Sequence, residues 1–170
     1  VCIITMNAAN RIEPVLRQIR PLADELVIGV DSKTTDNTVE VCQQWADTCF
    51  IIENPNATCN GGLEALVRQC TGDWVLRLDD DELPVPELAD FKAALMTQTR
   101  FTHYKLPRLH LATVSPLTWV DDGYLFPDYQ LRLFKNDAGL LRYPPPIGHV
   151  GIECDGKRGR LPSLPLIHLN

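Results

Sequence analysis

Four apolar runs, each closing on a polar residue, constrain this chain more than any other feature of its sequence. They are Val1-Cys2-Ile3-Ile4-Thr5, residues 26–30, Cys49-Phe50-Ile51-Ile52 and residues 74–78. Short runs that are apolar almost throughout, here broken only by Arg77 and the closing Thr5, read as strands covered on both faces. Between them, apolar residues recur at helical spacing: Ile12, Val15, Leu16, Ile19 and Leu22, then Val39, Cys42 and Ala46, then Leu63, Leu66, Val67 and Cys70. The result is a β-α-β-α-β-α-β alternation, which predicts a mostly parallel sheet with helices on both faces. Ligands of such sheets bind outside the carboxyl ends of the strands. The residues expected there are Asn7, Asp31, Asn54 and Asp79, a single polar rim.

The helix starts are less sharply written. Asn10 with Glu13 has the spacing of a capping box, but Pro14 conflicts with it and favours a later start. Thr35 or Asp36 is expected to cap the second helix. Beyond residue 82 the pattern changes. A helix is expected over 88–96, strands over 101–111 and 129–134, an irregular stretch at Pro144-Pro145-Pro146, and a last short strand within 161–169. No linker or repeat divides the chain, so one domain over 1–170 is expected. Both ends read as cut points, which predicts a longer natural chain.

The acidic run Asp79-Asp80-Asp81-Glu82 follows the fourth apolar run directly. Carboxylates this close repel one another, and a hard divalent cation removes that cost. Residues two apart on extended backbone face the same way, so Asp79 and Asp81 are expected to converge while Asp80 points elsewhere. The bland alternative is a solvated acidic turn. The formal net charge of −6 argues against a nucleic-acid partner, which needs a basic face. It leaves a phosphorylated ligand open. The six cysteines show no metal-site spacing and are expected as buried thiols. No run is long enough to cross a membrane.

Several segments resemble family 2 glycosyltransferases of the GT-A fold. Val30-Asp31-Ser32-Lys33-Thr34-Thr35-Asp36-Asn37-Thr38 is similar to their V-D-D-G-S-T-D-G-T segment. The stretch from Gly72 and Asp73 through Trp74 to Asp79-Asp80-Asp81-Glu82 is similar to the segment that holds their D-x-D motif. Thr5-Met6-Asn7 resembles their opening T-Y-N-E. Asp128-Tyr129-Gln130-Leu131-Arg132-Leu133-Phe134 resembles the D-x-Q-x-R-L-F strand of a branch that includes lipopolysaccharide-core glucosyltransferase-like proteins.

The resemblance implies an α/β, Rossmann-like nucleotide-diphospho-sugar transferase fold, with a nucleotide-binding half over 1–82 and an acceptor-side half over 83–170. It also implies a UDP- or GDP-type sugar donor and a glycan or lipid-linked acceptor. Asn7, Asp31 and Asp79 would bind the nucleotide. Asp81, with Asp79 and His168, would hold Mn²⁺ or Mg²⁺. Asp36 is read as a helix cap. Lys33 stands where the family has Gly, and the helix before Gly72 lacks the family's Asn near Glu64.

An inverting transfer needs a base for the acceptor hydroxyl. Asp121, Asp122 and Asp128 are the candidates, with Asp128 preferred because it precedes the family-like strand. Arg132 faces either the diphosphate or a structural acid. His149 stands where the family has an H-E pair, while His103 and His110 read as ordinary strand residues. A nucleotidyltransferase is the competing enzyme class, but residues 5–11 lack its glycine-rich loop. A non-catalytic binding domain is the third reading. The expected place of work is the cytoplasm, with contact to the inner membrane face left open.

Overall fold

The four apolar runs become strands β1 (Cys2–Thr5), β2 (Val27–Asp31), β3 (Thr48–Ile52) and β4 (Trp74–Leu78). They pair in parallel in the order β3-β2-β1-β4. The chain therefore winds outward from β1 to β3, then crosses back to place β4 on the other side of β1. That reversal opens a crevice at the carboxyl ends of β1 and β4, where α/β sheets take ligands. The structure, a computed structural model, describes residues 1–54, 61–98, 100–114, 116–121, 123, 126–144 and 151–169.

Helices α1 (Ile12–Ile19), α2 (Thr38–Gln43) and α3 (Leu63–Arg68) connect these strands. They cover both faces, as the alternation predicts. Ile12, Val15, Leu16 and Ile19 pack with Ile3, Ile28, Val30 and Leu78 on one face. Leu63, Leu66 and Val67 pack with Cys2, Val27 and Val75 on the other. The α3 face lies close to β2: a Cβ on Gly29 would sit 3.3 Å from Leu66 Cδ1, and would meet Ile52 of β3 at 2.1 Å. Gly62 caps α3 at φ 86°, a left-handed conformation that a side chain would strain.

The helix starts differ from expectation. The capping box of Asn10 and Glu13 does not form; Arg11 is the N-cap and no side chain caps the helix. Pro14 then falls in the first turn, where its missing N–H has no intrahelical acceptor to lose. The N-cap of α2 is Asn37 rather than the expected Thr35 or Asp36, though Asp36 lies against the start of the helix. Its carboxylate accepts the Thr38 N–H at 3.1 Å, and it also takes the Ala9 N–H at 3.2 Å.

The second half extends the sheet. It comprises β5 (Glu82–Pro84), α4 (Leu88–Thr97), β6 (His103–Val114), β7 (Leu117–Trp119), β8 (Asp128–Lys135), β9 (Leu141–Arg142), β10 (Glu153–Cys154), β11 (Arg158–Arg160) and β12 (Leu166–His168). From β4 the order continues β8-β6-β12-β5, with β7 and β11 also on β6. β8 runs antiparallel to both β4 and β6. β5 was not expected, since three residues carry no period. Its antiparallel register with β12 sets His168 opposite Glu82. This pairing carries the last strand back to the acidic run. The described cysteines are all free thiols. No helix among the described residues is long and apolar enough to cross a membrane.

Leu66 is fully buried between α3 and the sheet. Leu66→Ala should lower unfolding free energy by about 2–5 kcal/mol in urea titrations, the cost of a cavity in a close-packed core. A loss below about 0.5 kcal/mol would contradict that packing.

Candidate active site

The acidic run divides into four different environments. Glu82 is fully buried on β5. Arg132 on β8 donates to both of its oxygens, Nε at 2.8 Å and Nη2 at 2.7 Å. Arg108 on β6 stands 3.6 Å away, and the Asp79 N–H donates at 3.1 Å. Arg132 also reaches Asp79, whose other oxygen pairs with Arg77 at 2.6 Å. Burial pushes the Asp79 carboxyl up, but Arg77 and Arg132 outweigh it and hold the group below the usual carboxylate range. Of the two roles expected for Arg132, its contacts here are with a structural acid and with Asp79.

Asp81 turns the other way. Its Oδ2 lies 3.3 Å from His168 Nε2. This carboxylate raises the His168 pKa against the effect of burial. Asp81 Oδ1 and His168 Nδ1 are both buried and have no hydrogen-bond partner. The unused, buried Asp81 Oδ1 is a hard oxygen donor of the kind a divalent cation takes, and the His168 imidazole stands beside that carboxylate, with its unused Nδ1 on the ring edge turned away from the Nε2 contact. Among the described residues no group of three or more His, Cys, Asp or Glu side chains could hold a metal. A cation here would draw its remaining ligands from water and ligand phosphates, as Mg²⁺ commonly does. Asp79 is not brought into that pair, because both of its oxygens are engaged by arginines.

Asp80 faces the β1 side. It accepts from the Thr5 hydroxyl at 2.5 Å and from Arg11 at 3.1 Å, while Arg11 also donates to the Asn7 carbonyl. Burial raises the Asp80 carboxyl pKa, with Thr5 and Arg11 partly offsetting it. Asn7 adopts φ 48°, a left-handed conformation that Asn tolerates better than most residues. Its side-chain oxygen accepts the Thr35 N–H at 2.8 Å, tying the ends of β1 and β2 together. Asp31 is buried at the end of β2, where it accepts from Asn54 at 2.8 Å and from the Lys33 N–H at 2.8 Å.

Asp31, Asn54, Asp79, Asp80, Asp81 and His168 line one cleft of about 760 Å³, within the range of small-ligand sites, while Asn7 and Glu82 do not line it. Asp31 and Asn54 line one end, Thr5 and Asp79 to Asp81 the middle, and Lys105, Arg108 and Gln130 the far wall. A smaller apolar cavity of about 210 Å³ lies between α4 and the sheet, around Trp74, Leu88 and Leu95. It contains none of these groups.

Asp128 opens β8 and is tightly held. Arg108 pairs with it at 2.8 Å and Gln130 donates to it at 2.6 Å. Burial raises its pKa, but the bonds from Gln130 and Arg108 win and lower it. A carboxylate held this way has the surroundings of an anchor rather than of a strong base. Asp122 and His149 lie outside the described residues. His110 is not the ordinary strand residue its sequence context suggests. Its Nε2 stands 3.5 Å from Asp128, and its ring meets that of His168 edge-on at 4.9 Å between centroids.

Arg77 and Arg108 are site residues that the sequence patterns do not single out, and Asn54, expected on the polar rim, is also the partner of Asp31. Arg77 had a signal: a charge inside an otherwise apolar strand needs a buried partner. Arg108 had no signal, because its acids lie on other strands.

A cleft at the switch point of a parallel sheet, lined by polar strand ends, is where α/β folds of this class take their ligands. The model of Glycosyl transferase family 2 matches residues 1–100. An uncharacterized glycosyltransferase of Rickettsia bellii is 32% identical over 110 residues, which is 63% of this chain and 36% of that protein. Its counterpart in Rickettsia felis is also 32% identical, over 63% of this chain and 38% of its own length. The matched stretch thus spans little more than a third of these relatives. Two solved structures share the fold. S. aureus TarS 1–349 superposes with TM-score 0.57 at 15% identity, covering 79% of this chain and 46% of that chain. Glucosyl-3-phosphoglycerate synthase from Mycobacterium tuberculosis, in complex with Mn²⁺, UDP and glucosyl-3-phosphoglycerate, gives 0.52 at 20% identity, covering 65% and 43%. The chain belongs to glycosyl transferase family 2.

Glu82→Gln removes the buried charge while keeping its shape. Arg132 and Arg108 then face a neutral amide, though each keeps another acid. Urea unfolding should show a loss of about 3 kcal/mol, the low end for breaking a buried pair. A loss below about 1 kcal/mol would show that Asp79 and Asp128 suffice to hold both arginines.

Proposed function

We propose that this chain is the donor-binding core and part of the acceptor side of a metal-dependent, inverting glycosyltransferase. It moves a sugar from a nucleoside-diphosphate donor, UDP- or GDP-type, to a hydroxyl of a glycan or lipid-linked acceptor. The observation that carries this is the adjacent pair Asp81 and His168, each with a buried, unused polar atom beside the cleft. The mycobacterial neighbour, whose structure contains Mn²⁺ and UDP, and TarS, also solved with UDP-GlcNAc, support a nucleotide-sugar donor.

The residues divide the work. Asp31, fixed by Asn54, takes the nucleoside. Asn7 holds the loop after β2 against the end of β1. Asp79 presents an ionised carboxylate beside Arg77 and Arg132, and all three line the cleft where the diphosphate would bind. Asp81 and His168 would hold Mn²⁺ or Mg²⁺. When bound, the metal stabilises the diphosphate as leaving group. The acceptor proton passes to a carboxylate of the second half, with Asp121, Asp122 and Asp128 as the candidates. Arg108 weakens Asp128 in that role. A lipid-linked acceptor would place the work in the cytoplasm, at the inner membrane face.

Thermal-shift titration with UDP and GDP, each with and without Mn²⁺, tests the proposal. One nucleotide should stabilise the protein only when the metal is present, by about 2.7 kcal/mol at a hundred times Kd. Asp81→Asn should abolish that shift. A shift that ignores the metal, or no shift with either nucleotide, would refute the assignment. Formation of a nucleotide-sugar from a sugar phosphate and NTP would instead establish the nucleotidyltransferase class.

A further inference from the structure

The cations of the cleft are almost all neutralised. Arg11 pairs with Asp80, Arg77 with Asp79, Arg132 with Glu82 and Asp79, Arg108 with Asp128, and His168 with Asp81. Lys105 is the exception: it lines the cleft, yet no acidic side chain among the described residues pairs with it.

Lys105 also has cationic neighbours. β11 runs parallel to β6 with Arg158 opposite His103 and Arg160 opposite Lys105. Between the two arginines, Gly159 is buried against Tyr104, and a Cβ there would meet its ring at 2.4 Å. Strand alternation then directs Arg158 and Arg160 to the other face, beside Lys105. Both arginines are exposed, and neither has an acid partner among the described residues. Arg160 lies over the Tyr129 ring at 4.9 Å instead. The nearby carboxylates of Glu153 and Asp155 are both taken by Arg142. His103, set between these cations, has its pKa lowered by burial and then by Arg158 and Lys105. In a chain with 22 acids and 16 Lys and Arg residues, three neighbouring cations without counter-charges are a built feature rather than background.

Their position separates them from the donor. Counting along β2-β1-β4-β8-β6, Lys105 stands four strands from Asp31. At the usual strand spacing that is about 19 Å from the nucleoside end, and about 10 Å from β4. We propose that Lys105, Arg158 and Arg160 form a subsite for an anionic group, phosphate or carboxylate, carried by the acceptor sugar. The inference rests on the proposed function for the word acceptor, and on the charge geometry alone for the anion. Lys105 lines the cleft and Arg160 stands opposite it on β11, so an anion held there would leave the acceptor hydroxyl free to reach toward the metal end. Attraction of this kind between exposed charges is salt-sensitive.

The test uses the full 170-residue chain and three probes: methyl glucoside, glucose 6-phosphate and glucuronate. Binding is measured by NMR titration at low and high salt, with the UDP–Mn²⁺ thermal shift recorded in parallel. The charged probes should bind at least about tenfold tighter than methyl glucoside at low salt, and lose most of that preference at high salt. Lys105→Gln and Arg160→Gln should each cut the preference by about threefold or more. Arg160 is exposed, so its variant guards against a folding defect at half-buried Lys105. An unchanged preference in both variants would overturn the inference. So would a loss of the UDP–Mn²⁺ shift in step with probe binding, which would put these cations on the donor diphosphate. Binding only to vesicles containing phosphatidylglycerol, and to none of the probes, would also overturn it in favour of a lipid surface. Absence of any nucleotide shift in the parent protein counts against the proposed function instead, and is read independently of the probes.

Discussion

Glu82 is a carboxylate with no access to water, and an unpartnered ion in that position would cost several kcal/mol. Arg132 removes most of that cost with two hydrogen bonds, and Arg108 adds a second positive charge. Because each arginine has a further acid to satisfy, the pairing spreads. Arg132 fixes Asp79, Asp79 fixes Arg77, and Arg108 fixes Asp128. Asp128 meets His110, whose ring packs on His168 beside Asp81. A single buried carboxylate on β5 thus orders side chains from β4, β8, β6 and β12 around one cleft. The two arginines bring positive charge to the cleft wall without leaving it free to attract stray anions.

This arrangement explains how four consecutive acids coexist. Each is directed to a different partner: Asp79 to Arg77 and Arg132, Asp80 to Thr5 and Arg11, Asp81 to His168, Glu82 to Arg132 and Arg108. The mutual repulsion expected of such a run is relieved mainly by arginines rather than by one shared metal. What remains for a cation is the narrower pair Asp81 and His168. Asp80 has a further mechanical part. Through Thr5 and Arg11 it ties the loop after β4 to the end of β1, across the switch point of the sheet.

The first half of the fold was legible because its order is local. Strands buried on both faces have continuous apolar runs, and helices between them have apolar stripes, so β1 to β4 and α1 to α3 lie where their patterns predict. The polar ends of those runs marked the cleft for the same reason. The second half was less legible because its order is long-range. Glu82 looks in sequence like one more solvated acid, and its burial depends on Arg132 fifty positions away. β5 and β11 are three residues each, too short to show a period. His110 gains its surroundings from β12 and β8, which nothing near it announces. Arg77 shows that some of this was recoverable. A charge in the middle of an apolar strand is costly enough that it has to be held by something, and here it is held by Asp79.

The central claim is that Glu82 commits Arg132 and Asp79 to a fixed charge network, leaving Asp81 and His168 as the metal-holding pair. A crystal structure of the chain soaked with UDP and Mn²⁺, with the ion located by anomalous scattering, tests it most directly. The account predicts an anomalous peak bonded to Asp81 and His168, with Asp79 still paired to Arg77 and Arg132 and with Arg132 still on Glu82. A peak bonded to Asp79, with Arg132 released from it, would contradict the account.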